Sequence, residues 1–248
     1  MIASNPNGPT FKFDDFSLEW QMTRCEKFAF HSLVEFVKPE VAIEIGTYKG
    51  GSLQVLAQHA DSVYSLDIDP NCRKVLGPRF DNVEFLTGRS RSVLPPLLRK
   101  IASSGCPLEF VLIDGEHTAE AVRNDINDVL KYQPVKPLYI VFHDSFNPAC
   151  RKGILAADWA ACPFVHFVEV DFVPGVYHHE GFDHAEPRSM YGGLAVALML
   201  PSPRDHQLVV HQSQKGLFDV VLKRSCHSTS ATGMVANFSR KILRKLRA

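Results

Sequence analysis

The residues best suited to chemistry fall in three short stretches. Asp114-Gly-Glu-His117 sets an imidazole three residues after a carboxylate. An imidazole with a pKa of about 6.5 is poised to take a proton from a hydroxyl near neutral pH, which makes His117 a candidate general base. The same His117 could equally cap the helix that follows it. Glu44-Ile-Gly-Thr-Tyr-Lys-Gly-Gly-Ser52 is a glycine turn led by a carboxylate. Gly46 and Gly50 would let its backbone turn tightly and approach a ligand. The pattern differs from Gly-x-Gly-x-x-Gly, which rests a pyrophosphate on helix amides and leaves no place for an acid. A carboxylate at this point suits a ligand that carries positive charge. Third, Leu66-Asp67-Ile-Asp-Pro ends about 20 residues after the turn, where an acid can accept the hydroxyls of a ribose; Asp67 fits that role and Asp69 fits a helix cap.

These groups need strands to present them. Val41–Ile45, Val63–Ile68, Val83–Leu86, Leu108–Ile113 and Leu138–Phe142 are short apolar runs, each followed by a helical pattern. The helices are expected over 52–59, 71–76, 92–102, 118–132 and 150–160, preceded by one over 16–37 that Pro39 stops. Alternation at this spacing implies βαβ units, a parallel sheet and helices on both faces. Phe164–Phe172 and Gly193–Leu200 read as two further strands that pair antiparallel at an edge. Between them Pro174–Tyr191 reads as a surface loop of the length that lids have. Its His178, His179, Glu180, Asp183 and His184 match no standard zinc spacing, so a solvated lid on the acceptor side is the better reading. Gln207–His211 and Leu217–Leu222 suggest a terminal hairpin, followed by a polar linker.

Bulk properties exclude several classes. With 248 residues, 45% hydrophobic and a formal net charge of zero, the chain can bury a full core and has no global attraction to nucleic acid. Six cysteines without metal-like spacing read as reduced thiols, and no apolar run follows a basic start, so the chain is expected to be cytoplasmic. Residues 1–15 form an N-terminal extension, 16–224 one domain, and 225–248 a polar linker with a basic amphipathic helix at 237–248. That helix is a solvated terminus or a weak peripheral contact with anionic lipid.

Taken together, the glycine turn, Leu66-Asp-Ile-Asp-Pro, Ile113-Asp-Gly-Glu-His and Phe142-His-Asp resemble the class I S-adenosylmethionine (SAM)-dependent methyltransferases over roughly residues 20–200. The resemblance is to the small bacterial branch of cephalosporin-hydroxylase-like and sugar or macrolide O-methyltransferases, with a layout similar to catechol O-methyltransferase. It implies an α/β Rossmann-like three-layer sandwich, with a mostly parallel seven-stranded sheet and an antiparallel edge strand. It further implies that Glu44, Gly46, Tyr48, Gly50 and Ser52 surround the methionine part of SAM, that Asp67 holds the ribose, and that Ser90 and Arg91 lie at the adenine. Ser90 could instead be a plain helix cap. Asp114 and Asp144 fall where the catechol-type layout binds Mg²⁺, with Ser145 in place of the third ligand, an asparagine. His117 falls where that layout keeps a catalytic lysine. Asp114 and Asp144, with His143 beside them, could hold Mg²⁺ or another divalent cation and so acidify a hydroxyl. The activity implied is methylation of a small-molecule or sugar hydroxyl, by a chain that could form a homo-oligomer. An NAD-type oxidoreductase and a non-catalytic SAM-binding module are the alternatives.

Overall fold

A computed structural model describes residues 16–180 and 186–228. The N-terminal extension, Asp183 and His184 of the histidine-rich loop, and the basic segment 237–248 lie outside the described residues.

Five strands, β1 (Val41–Ile45), β2 (Ser62–Asp67), β3 (Val83–Thr87), β4 (Leu108–Ile113) and β5 (Leu138–His143), form the parallel part of the sheet. Their helices are α1 (Arg24–Val37), α2 (Leu53–His59), α3 (Asn71–Leu76), α4 (Ser90–Ser104), α5 (Ala119–Val129) and α6 (Pro148–Leu155). β1 is buried on both faces, so it reads as an apolar run broken only by the buried Glu44. Val41, Ile43 and Ile45 pack with Leu94, Leu98, Val122 and Ile126 of α4 and α5 on one face. On the other, Ala42 packs with Phe30, Val34, Leu53 and Leu56 of α1 and α2, giving three layers.

The remaining strands are β6 (Val165–Val173), β7 (Val176–His178), β8 (Ser189–Tyr191), β9 (Leu194–Met199) and β10 (Val210–His211). The main sheet has the order β10-β6-β9-β5-β4-β1-β2-β3. The two late strands do pair antiparallel, but β9 is inserted between β5 and β6 and is antiparallel to both. Two-residue β10 adds an eighth strand, parallel to β6, at the edge. Chain order runs outward from β1 in one direction and from β4 in the other. The reversal therefore falls between β1 and β4, where such sheets open a ligand crevice beyond the strand ends.

Three expectations change. The first helix begins at Arg24, because Thr23 and Glu26 form a capping box there. The residues before it cross the glycine turn instead: a Cβ on Gly51 would lie 2.5 Å from the Glu19 carbonyl oxygen and the Trp20 Cα. The stretch between β6 and β9 is more than a loop, since β7 and β8 pair into a hairpin on either side of it. The terminal hairpin is absent; its second half is helix α7 (Lys215–Arg224). Phe218, Val221 and Leu222 recur at helical spacing and pack on Phe146 and Met190. A buried ion pair of Arg151 with Asp171, with Nη1 to Oδ1 at 2.6 Å and Nη2 to Oδ2 at 3.1 Å, anchors this end of the molecule, and the guanidinium lies 4.3 Å from the Phe218 ring centre. Among the described residues no helix is long and apolar enough to cross a membrane.

Candidate functional site

At the end of β1 the chain turns through Gly46, with φ +95°, against the end of β4. The Asp114 amide donates to the Ile45 carbonyl at 2.8 Å, and a Cβ on Gly46 would sit 2.0 Å from the Asp114 carbonyl oxygen. Glycine is thus required at 46 by backbone-to-backbone contact at the switch point, before any ligand is considered. The same contact brings the turn and the Asp114 segment together.

Glu44 is fully buried and accepts hydrogen bonds from the hydroxyls of Ser52, at 2.6 Å, and Ser65, at 2.9 Å. The Ser65 hydroxyl also lies 2.6 Å from that of Thr47, and the Thr47 and Tyr48 amides both donate to Asp67 Oδ2 at 2.9 Å. One hydrogen-bonded chain therefore joins Glu44 to Asp67. Burial pushes the Glu44 carboxyl up to about 8; the two hydroxyls oppose this, and the negative Asp114 and Asp67 add to it. Oδ1 of Asp67 accepts the Asp69 amide at 2.8 Å, so three of its roughly four acceptor directions are used and one remains for a hydroxyl. Asp69 accepts from the Asn71 amide at 2.9 Å, in a turn just before α3; the cap position itself is Pro70, not the Asp69 expected. Tyr48 is 59% exposed, with φ +47°, and stands at the rim of the turn.

The second cluster lies beyond β4 and β5. His143 Nδ1 is 3.0 Å from Asp114 Oδ1 and 3.8 Å from Asp144 Oδ2. His117 Nε2 is 3.5 Å from Asp114 Oδ1 and 3.3 Å from Asp144 Oδ2. Asp144, with φ +58°, is held by the Gly192 amide, which donates to its Oδ1. The imidazole is 48% exposed at His117 and 7% exposed at His143, so the cluster has an open side and a closed one. Burial works against charge on Asp114, but the positive His143 and His117 outweigh it and hold the carboxyl down at about 2. The hydrogen bond with Asp114, opposed by burial, raises His117. Burial lowers His143 while Asp114 and Asp144 raise it, and the raising prevails by a wide margin.

The sequence reading missed Glu26. It is 1% exposed, accepts the Thr23 amide at 2.5 Å and the Gly193 amide, and its Oε2 lies 3.9 Å from His143 Nε2. Burial opposes its ionisation, yet the positive His143 and the backbone donors leave its carboxyl below the ordinary value. Thr23-x-x-Glu26 is a capping-box spacing and was legible as one; its link to His143 was not. Ser145 is buried and lies against Gly193. The group whose ligating atoms lie within 4.8 Å of one another is Asp114, His143 and Asp144; Ser145, which stands where the catechol-type layout has an asparagine, is not among them. Ser90 and Arg91 are not brought to the cluster. The Ser90 hydroxyl donates to Asp125 of α5 at 2.6 Å, and Arg91 lines a surface hollow with Asn124, Asn127 and Asp128.

Residues 43–145, which span β1 to the end of β5, match a family model described as a methyltransferase domain. No match is found among curated proteins. Three solved structures share the fold. An O-methyltransferase from Bacillus cereus in complex with SAH is 18% identical, with 72% of this chain and 82% of that one covered and a TM-score of 0.52. The O-methyltransferase TomG from Streptomyces achromogenes, in complex with SAM, is 16% identical, with 72% and 81% covered and a TM-score of 0.53. A cofactor-bound protein from MTB is 19% identical, with 76% and 86% covered and a TM-score of 0.53. Residues 43–145 are thus similar to a methyltransferase domain, and the chain shares the Rossmann-like fold of these solved structures.

Proposed function

We propose that the chain transfers a methyl group from SAM to a hydroxyl of a small-molecule or sugar acceptor. One observation carries this reading. The Glu44–Asp67 network and the Asp114–His117–His143–Asp144 cluster meet at the switch point, joined by the contact of Gly46 with the Asp114 backbone. Methyl transfer needs a nucleophile in line with the sulfonium methyl at about 3–3.5 Å, and the nearness of the two groups supports such an arrangement. Glu44, Gly46, Tyr48, Gly50 and Ser52 would surround the methionine part, and Asp67 has one acceptor direction left for the ribose. Asp114 ends β4 between the two groups, and His117 is the exposed member on the acceptor side.

The acceptor hydroxyl must lose its proton, and the cluster offers His117 and Asp114 for that. Its two carboxylates and His143 also fit a divalent cation, whose bound form would lower the hydroxyl's pKa. The residues present fit such an ion: Asp144 and Glu26 are already oriented by the backbone amides of Gly192 and Gly193. A cytoplasmic site of action is part of the same proposal, supported by six cysteines that read as reduced thiols.

The test is direct. Isothermal titration with SAM and with NAD, followed by mass spectrometry of a hydroxyl-bearing panel incubated with methyl-labelled SAM, should show SAM binding and label on oxygen. Tight NAD binding without SAM binding ends the reading; SAM binding with no labelled acceptor turns it towards a binding module.

A further inference from the structure

We infer that the binding of SAM ionises Glu44, so that the turn releases a proton for each cofactor it takes up and holds SAM more tightly as pH rises towards neutrality. The inference rests on the proposed function's placement of the methionine part at this turn, and it adds the regulation of that site.

The surroundings of Glu44 carry it. The carboxyl is fully buried, and its hydrogen-bond donors are two neutral hydroxyls, Ser52 at 2.6 Å and Ser65 at 2.9 Å. The titratable groups that act on it are Asp67 at the end of β2, Asp114 just beyond β4 and the Cys72 thiol of α3. Two of these are acids, and no cation stands among them. A buried carboxylate without a positive partner is costly, and the neutral acid is the form that such a site prefers. Burial accordingly pushes the group up to about 8, with the two hydroxyls opposing and the two acids adding.

A protonated Glu44 needs somewhere to donate, and the hydroxyl chain supplies it. Ser65 Oγ lies 2.6 Å from Thr47 Oγ1, and either atom can be the donor. A hydroxyl turns to suit its neighbours. With Glu44 ionised, Thr47 donates to Ser65 and Ser65 donates to Glu44. With Glu44 protonated, the same chain runs the other way. It leads from the buried acid to Thr47, one residue before the exposed Tyr48 at the rim.

SAM changes the balance, because its ammonium and sulfonium reach a turn whose acid has no cation of its own. Opposite charge close by favours the ionised carboxyl. The O–H bond of Glu44 breaks, the electron pair stays on the carboxylate oxygen, and the proton passes by Ser65 and Thr47 to the buffer. Linkage is reciprocal, so a ligand that favours the ionised form is itself bound better where that form is easier to reach. Below about 8 the free protein holds the proton, and each unit of pH lost weakens SAM binding by about tenfold.

The experiment uses the full-length protein and SAM. Calorimetric titration between pH 5.5 and 7, in buffers of low and high protonation enthalpy, reads affinity and proton release together. This range lies below the titration of an α-amino group, at about 7.7–8.0, so the charge of SAM stays constant. The natural protein should release close to one proton per SAM at pH 6.5 and gain about 30-fold in affinity from pH 5.5 to 7. Glu44→Gln, which has no proton to lose, should release none and change by less than about threefold. Infrared difference spectra of the natural protein, bound minus free, should lose one protonated-carboxyl band; this reads Glu44 directly should Glu44→Gln fail to fold by circular dichroism. Equal proton release from the two proteins, no release from the natural one, or an unchanged carboxyl band would overturn the inference. Tight SAM binding that ignores pH sinks this inference alone, whereas no SAM binding at any pH sinks the methyltransferase reading with it.

Discussion

The carboxyl of Glu44 offers the sharpest test of how the cofactor turn is built. Its value of about 8 in the folded chain stands above the ordinary 4.5, chiefly because burial disfavours the charged form. For a group shifted in this direction the folded state holds the proton between those two values and the unfolded state does not. The stability it contributes is complete below pH 4.5 and is lost as pH rises towards 8. The slope is about 1.4 kcal/mol per pH unit, so the whole window is worth up to about 5 kcal/mol, and relaxation around the buried group will trim that. Glu44→Gln removes the titration while keeping the size, and its amide can accept from one of Ser52 and Ser65 and donate to the other. Urea unfolding of both proteins at pH 5, 6, 7 and 8 gives the difference in stability, in which other titrating groups largely cancel. The two should be close at pH 5, and the variant should be the more stable by several kcal/mol at pH 8. A difference that stays flat within about 0.5 kcal/mol would show that Glu44 is ionised in the native protein, stabilised by the hydroxyls alone, and would refute the argument from burial.

Other expected outcomes follow from the same geometry. Asp67→Ala removes the acceptor for the Thr47 and Tyr48 amides and the one direction left for a ribose hydroxyl. SAM affinity should fall by about 10–100-fold, and calorimetry showing an unchanged affinity would remove Asp67 from the site. Gly46→Ala drives a methyl to within 2.0 Å of a backbone oxygen at φ +95°, so chemical denaturation should show a loss of about 2–5 kcal/mol. Arg151→Met leaves Asp171 buried without its partner and should cost about 3–5 kcal/mol, read as a fall in Tm; a change below 1 kcal/mol would mean that the pair is not closed in solution. Arg91→Ala, in the hollow between α4 and α5, should leave SAM affinity within about twofold, since its side chain lies away from the strand ends.

Local pattern made much of this protein legible. Apolar runs the length of strands, each followed by a helical period, point to a parallel sheet because the crossover helices cover both of its faces. The carboxylate-led glycine turn, Asp67 and the two later acids all stand at or just beyond strand ends, as the pattern of apolar runs implied. Where it went astray, the deciding contact was distant in the chain. Val220 and Val221 read as part of a strand until Phe146 and Met190 offered Phe218 and Leu222 a helical seat.

The site divides in the same way. The residue types at 114, 117, 143 and 144 were visible as two separate motifs, each with a proton-transfer or cation reading of its own. That Asp114, His143 and Asp144 come within 4.8 Å of one another, with His117 against the two aspartates and Glu26 behind His143, follows from β4 and β5 lying side by side and from α1 setting its capping box against the Gly192–Gly193 turn. Sequence determines which donors exist and which strand carries them, because those depend on local periodicity. Only the packed sheet decides which donors meet, because distances between groups 29 to 167 residues apart are set by strand order and register.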